Sequence, residues 1–190
     1  MPKFHEIFSA AVNFHQQGDI HKALELYNQF KYDAKNNPQL FYNDPQCPKS
    51  LAIYNYRPFL ELLIEKTPFM TEIIGEPMFP TYTYSRLYAH GDKLDKHTDR
   101  NACEVSVTLN IGGDKDWDIY FTKPNNEIVS YNLKSGQGVI YLGMVSEHWR
   151  NVFEGQEYGQ IFLHYVKAKG ENWQNSINDA LREWVNTHFV

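Results

Sequence analysis

A chain of 190 residues, 42% hydrophobic and 15% aromatic with 13 Tyr and 12 Phe, fits one domain with an N-terminal elaboration and a sizeable β-rich core, which excludes disorder. With 23 acidic against 18 basic residues and a net charge of −5 there is no basic stripe, so nucleic acid is not an expected partner. Cys47 and Cys103 are too few and too far apart for a disulfide framework, and no signal-peptide core or run of about 20 apolar residues occurs, so a soluble, cytoplasmic protein without a membrane partner is expected.

From Phe4 to about Ala34 apolar residues recur at helical spacing, first Phe4, Ile7, Phe8, Ala11 and Val12, then Ile20, Ala23, Leu24, Leu26 and Tyr27, with a break at Gly18 and Asp19. This predicts a helical hairpin. Its second half, GDIHKALELYNQF, is similar to one tetratricopeptide-type unit, but an array needs about three units to bury its faces, so a packing role is expected. The segment NNPQLFYNDPQCPKS reads as a loop that closes an N-terminal unit over 1–50.

A helix is predicted from Arg57 to about Glu65 with Pro58 in its first turn, and a second short one from Phe69 to Ile74. From Thr81 onward β-type segments follow one another: TYTYSRLYA, CEVSVTLNI, WDIYFT, EIVSYNL, GVIYLG, HWRNVF and YGQIFLHYV. About seven short strands without intervening helices predict a mainly β unit with flanking α-helices over 51–190, with a jelly roll as the natural candidate. A final helix is expected over Asn172–Val185, with Trp173, Ile177, Ala180, Leu181 and Trp184 on one stripe.

In KLDKHTDR, His97 and Asp99 stand two apart, so a strand start there points both side chains to one face, as two ligands of one metal require. His148 follows about 50 residues later in GVIYLGMVSEHWRN. Two imidazoles and one carboxylate leave adjacent positions of a metal open for a bidentate co-substrate and dioxygen. A structural zinc site would instead use four closed ligands, usually with Cys. No GxSxG or GxxxxGK[ST] motif competes, and neither Cys has an evident His partner in the sequence.

The order of YSRLYAHGDKLDKHTDR, CEVSVTLNIGG, SGQGVIYLGMVSEHWRNVFEG and QIFLHYV resembles that of prolyl-4-hydroxylase-like iron(II)- and 2-oxoglutarate-dependent oxygenases, over roughly Pro80 to Val166. The resemblance implies a double-stranded β-helix, a cupin-like jelly roll, with its core over about 80–166. It implies iron(II) on His97, Asp99 and His148, with these three as the catalytic set. It further implies 2-oxoglutarate chelating the metal through its 2-oxo and 1-carboxylate groups, O2 as oxidant, and ascorbate as a candidate reductant. The activity implied is hydroxylation of an unactivated C–H bond as 2-oxoglutarate is decarboxylated to succinate. By analogy the substrate is a prolyl or other peptide residue; the alternatives are a free amino acid or small metabolite, or a non-catalytic cupin-like binding protein.

The family places a basic residue for the 5-carboxylate about ten positions after the second His. Here that position falls near Tyr158, and no Arg or Lys lies between Asn151 and Val166. Arg150, two residues beyond His148 and so on the same strand face, is the candidate anchor, with Arg86 and Lys123 as competitors. Tyr88, nine residues before His97, matches the family Tyr that reaches the co-substrate. Thr108 and Asn110 stand on a segment whose polar side chains line that pocket, and Tyr158 offers a phenolic hydrogen bond. Arg86, on the same face as Tyr88, is a candidate for an anionic substrate, and His164 and Arg100 complete the candidate substrate residues.

Overall fold

The structure, a computed structural model, describes residues 11–13 and 19–176. Its strands form two antiparallel sheets. The larger runs in the order β1 (Ala11–Asn13), β9 (Gln137–Tyr141), β6 (Val105–Gly113), β11 (Glu157–Lys167), β4 (Met78–Ala89), β3 (Cys47–Tyr54) and β2 (Tyr42–Asp44). The smaller runs β5 (Leu94–His97), β10 (His148–Arg150), β7 (Ile119–Thr122) and β8 (Ile128–Tyr131). From β4 onward the chain passes back and forth between the sheets, which is the winding of a double-stranded β-helix. The seven β-type segments read from Thr81 onward are all strands.

Two helices, α1 (Asp19–Asn36) and α2 (Arg57–Ile74), lie on the outer face of the larger sheet. Strands β6 and β11 are therefore covered on both faces and are buried almost throughout. Alternation sorts their side chains: Val105, Val107, Leu109, Ile111, Ile161, Leu163 and Tyr165 turn outward into the helix-covered core with Phe30, Phe59 and Leu63. The intervening Ser106, Thr108, Gln160 and His164 are buried too, but polar. Burying polar groups costs free energy unless each finds a partner, so this stripe marks the interior that carries the chemistry. The ring of Tyr27 on α1 fills a notch at Gly112 and Gly159, where a Cβ on Gly159 would stand 2.7 Å from the ring, and its hydroxyl donates to Glu157 at 2.8 Å.

Three readings are corrected. The segment taken as a loop over 36–50 contains a 3-10 turn (Pro38–Leu40) and the β2–β3 hairpin, which joins the larger sheet beside β4. Its prolines do not forbid this: Pro45 stands in the hairpin turn, and Pro48 in the irregular stretch of β3 between its pairings at Cys47 and Leu51. Position 50 thus falls inside β3. The two short helices expected after Arg57 are one, α2, which runs through Pro68 and ends at Gly75, a left-handed residue with φ 78°. The carbonyl deprived of its partner by Pro68 is that of Ile64, a residue 59% exposed, so water can satisfy it. The helix predicted before Gly18 is a strand where it is described, since Ala11–Asn13 form β1 and pair with β9; the rest of it, and most of the helix over Asn172–Val185, lie outside the described residues. Among the described residues no helix is long and apolar enough to cross a membrane.

Candidate metal centre

His97 ends β5 and His148 opens β10, and the two are direct partners in the antiparallel ladder. Their rings stand 4.3 Å apart. His97 Nδ1 meets the Asp95 carbonyl at 2.8 Å and His148 Nδ1 meets the Ser146 carbonyl at 2.9 Å. A protonated Nδ1 on each leaves Nε2 as the free lone pair, and both Nε2 atoms face Asp99 Oδ1, at 3.6 and 3.7 Å. Two bonds of about 2.1 Å at a right angle place ligand atoms about 3 Å apart, so these donors need only small shifts to share one divalent ion.

Asp99 is fixed from the other side. Its N–H donates to the Gly143 carbonyl at 2.8 Å, and its Oδ2 accepts from Tyr141 Oη at 3.2 Å and Ser106 Oγ at 3.4 Å. Burial, and secondarily the neighbouring His97, lowers the pKa of His148 to about 3, so its ring is neutral and able to ligate at ordinary pH. Burial likewise lowers His164 to about 4.

These two histidines give the metal-free protein a pH dependence of known sign. Unfolded, they protonate near their ordinary 6.5; folded, only near 3 and 4, so acid is taken up preferentially by the unfolded chain. Their contribution is undiminished above about pH 6.5 and is lost as pH falls toward the folded values, at roughly 1.4 kcal/mol per pH unit per histidine. Melting temperatures of the metal-free protein from about pH 7.5 to about pH 4.5 check this. The slope should shrink in a His164→Asn variant, and an unchanged slope there contradicts the assignment.

A cavity of about 500 Å³ opens beside the three ligands. Its wall carries Tyr42 and Tyr54 from the β2–β3 hairpin, Tyr82, Tyr84 and Arg86 from β4, and Phe162 and His164 from β11, with Arg100 after the ligand loop. Arg86 is buried and already engaged: it pairs with Asp44, and donates to Gln46 Oε1 at 2.6 Å and to Tyr88 Oη at 3.1 Å. Arg100 lies over the Tyr82 ring at 4.3 Å. Cys103 and His164, which the sequence did not connect, come together at this wall, where their ligand atoms and a carboxylate oxygen of Asp99 lie within 4.8 Å of one another.

Arg150 turns inward with His148, as alternation requires, but lies outside the cavity-lining set. Its guanidinium sits between Trp117 and Tyr158, 4.7 and 5.1 Å from their ring centres. It donates to the Trp117 carbonyl and to Gln160 Oε1, the latter at 3.1 Å, while Gln160 Nε2 donates to Thr108 Oγ1 at 2.6 Å. Among the described residues no carboxylate pairs with it, and its Nε and the nearby Tyr158 hydroxyl are both buried without a hydrogen-bond partner.

The remaining sequence candidates divide. Tyr88 is fully buried, edge-on to Trp117 at 4.8 Å. Asn110 does not line the cavity beside His97, Asp99 and His148: its amide donates to the Leu133 carbonyl at 2.6 Å and its Oδ1 accepts the Gly112 N–H, so it ties down a loop. Lys123 is displaced from the site altogether, standing in the turn after β7 with Glu127 at 3.2 Å. Sequence reasoning missed Asp44, Ser106, Trp117 and Tyr141, whose residue types carry no motif.

No family model and no curated protein matches the sequence. Solved structures match in fold. A Pseudomonas putida prolyl-4-hydroxylase superposes with a TM-score of 0.63 at 12% identity, over 82% of this chain and 89% of that one. A Trichoplax adhaerens prolyl hydroxylase, solved with a hypoxia-inducible-factor oxygen degradation domain peptide, gives 0.62 at 9% identity over 87% and 84%. HygX of Streptomyces hygroscopicus, solved with nickel, 2-oxoglutarate and hygromycin B, gives 0.62 at 10% identity over 89% and 88%. The chain has the jelly-roll fold of the 2-oxoglutarate and iron(II) oxygenases.

Proposed function

We propose that this protein is an iron(II)- and 2-oxoglutarate-dependent oxygenase that hydroxylates a C–H bond of a substrate entering along the tyrosine wall. The observation that carries this is the convergence of His97 Nε2, Asp99 Oδ1 and His148 Nε2 beside a cavity inside this fold. Bound there, iron(II) would supply activation of dioxygen, with 2-oxoglutarate as the electron source. The protein's part is to hold the ligands, keep the His148 imidazole neutral by burial and exclude bulk water.

For the 5-carboxylate of 2-oxoglutarate the reading assigns Arg150. A buried guanidinium without an anion is costly, and an anionic co-substrate removes that cost, whereas Arg86 already has Asp44. Tyr88, Thr108 and Tyr158 are assigned with it as the hydrogen-bonding groups for the co-substrate. For the substrate, Tyr54 lies 4.8 Å from Tyr84 and 5.4 Å from Tyr82, and Tyr42 and Tyr54, stacked at the rim, are 39% and 47% exposed. Aromatic-lined surfaces of this kind dock prolyl-type rings, which makes a peptide prolyl residue the favoured substrate and a small cyclic metabolite the second reading.

Anaerobic addition of iron(II) and then 2-oxoglutarate should produce a weak visible charge-transfer band. Asp99→Ala should abolish the band while leaving the fold intact, because the ligands line a cavity rather than the packed core. Admitting air should release succinate even without prime substrate. A protein that gives neither band nor succinate is a cupin-like binding protein instead.

A further inference from the structure

The interior face of the larger sheet carries one row of side chains in direct register across four strands: Tyr82 on β4, His164 on β11, Ser106 on β6 and Tyr141 on β9. Its two outer members are a cavity wall residue and a support of Asp99. Tyr82 packs on the His164 ring at 4.5 Å, and Tyr141 donates to Asp99 Oδ2 at 3.2 Å. Between them, Ser106 Oγ stands 2.8 Å from His164 Nδ1, 3.4 Å from Asp99 Oδ2 and 3.4 Å from the Cys103 carbonyl.

A serine hydroxyl has one proton to give. If His164 Nδ1 carries no hydrogen, it is the nearest acceptor and takes that proton, so Asp99 loses one of its two side-chain donors. If Nδ1 carries the hydrogen, it donates to Ser106 Oγ, and the serine proton is free for Asp99. The tautomer of a residue in the cavity wall therefore decides how a metal ligand is held. We propose that His164 is a positioning residue for the metal ligand Asp99, acting through Ser106, so that the substrate cavity and the metal site are linked by one hydrogen-bond chain.

The proposal rests on the oxygenase reading and adds a substrate requirement to it. In the productive tautomer Nε2 is an acceptor, so a substrate presenting an O–H or N–H to His164 favours the state in which Asp99 is fully held. A prolyl ring carries no such hydrogen, so in the favoured substrate the donor to His164 would be a neighbouring peptide N–H.

The test is a double-mutant cycle read on iron(II) affinity, by anaerobic competition with a chelator, and on the visible spectrum of the cobalt(II)-loaded protein. Ser106→Ala should weaken iron(II) binding about tenfold, the scale of losing a hydrogen bond to a metal ligand. His164→Leu leaves Ser106 without the Nδ1–H that orients it, so its proton is shared between Asp99 Oδ2 and the Cys103 carbonyl, both 3.4 Å away. It should weaken binding about threefold to fivefold in the parent but have no effect in the Ser106→Ala background. His164→Asn, whose side-chain N–H can take the place of Nδ1–H, should keep the parent affinity and cobalt spectrum.

An unchanged iron(II) affinity in His164→Leu, or an equal loss in both backgrounds, overturns the proposal. Ser106→Ala removes a single oxygen and keeps the test open should the histidine variants not fold: parent affinity in that variant also overturns it. A parent protein that binds no iron(II) overturns the metal centre itself, an outcome distinct from these.

Discussion

Gly143→Ala is expected to abolish iron(II) binding while the fold survives. Gly143 follows β9, and its carbonyl accepts the backbone N–H of Asp99 at 2.8 Å. A Cβ added there would collide with the Cys103 carbonyl and stand 2.6 Å from Asp99 Oδ2 and 2.9 Å from Ser106 Oγ. Its φ is outside the positive region, so space and not backbone conformation demands glycine. One methyl group would therefore push on the Asp99 carboxylate and on Ser106 together. Since Asp99 supplies the only anionic ligand of the triad, affinity should fall on the order of a hundredfold or more. Chelator competition without oxygen measures this, with thermal melting as the control for folding. Iron(II) affinity equal to the parent's would mean that the carboxylate is not where the metal binds.

Arg150→Ala should separate the co-substrate from the metal. Without the guanidinium, the 5-carboxylate would be buried with only hydroxyl and amide partners, a loss of about 3–5 kcal/mol, or more than a hundredfold in 2-oxoglutarate affinity. Iron(II) binding in the absence of 2-oxoglutarate should hardly change, because Arg150 touches none of the ligands. The amplitude of the charge-transfer band against 2-oxoglutarate concentration reads the first quantity, and metal competition the second. Parent-like 2-oxoglutarate binding in Arg150→Ala, with loss in Arg86→Ala, would move the anchor to Arg86. The oxygenase reading would survive that outcome.

The grouping of His97, Asp99 and His148, which the structure brings together as a possible metal site, was legible because few side chains can bind a divalent ion and these three had ligand-like spacing. The strands after Thr81 were legible through their alternation and their Gly, Asp and Asn separators. The β2–β3 hairpin was not, since Pro45 and Pro48 mask a strand pair whose partner, β4, starts 36 residues after β2 begins. Nor was the surrounding support. Ser106, Tyr141 and His164 are ordinary residues in buried strands, and only the ladder registers Ser106 to Tyr141 and His164 to Ser106 bring them to Asp99. The proposed anchor lies between these cases: the absence of a cation at Tyr158 was visible, but the enclosure of Arg150 by Trp117 depends on a contact across 33 residues.

The position of β11 bears on how the polypeptide acquires this site during synthesis. Among the described residues it is the last strand in chain order, yet it lies between β6 and β4 and pairs with both. On a ribosome, both central strands would wait with open edges until residues 157–167 emerge, exposing the kind of unpaired ladder that recruits other chains. The smaller sheet, with His97 and His148 paired across β5 and β10, is complete in sequence before then. The proposed ligands are thus made before β11, the strand that brings His164 to them.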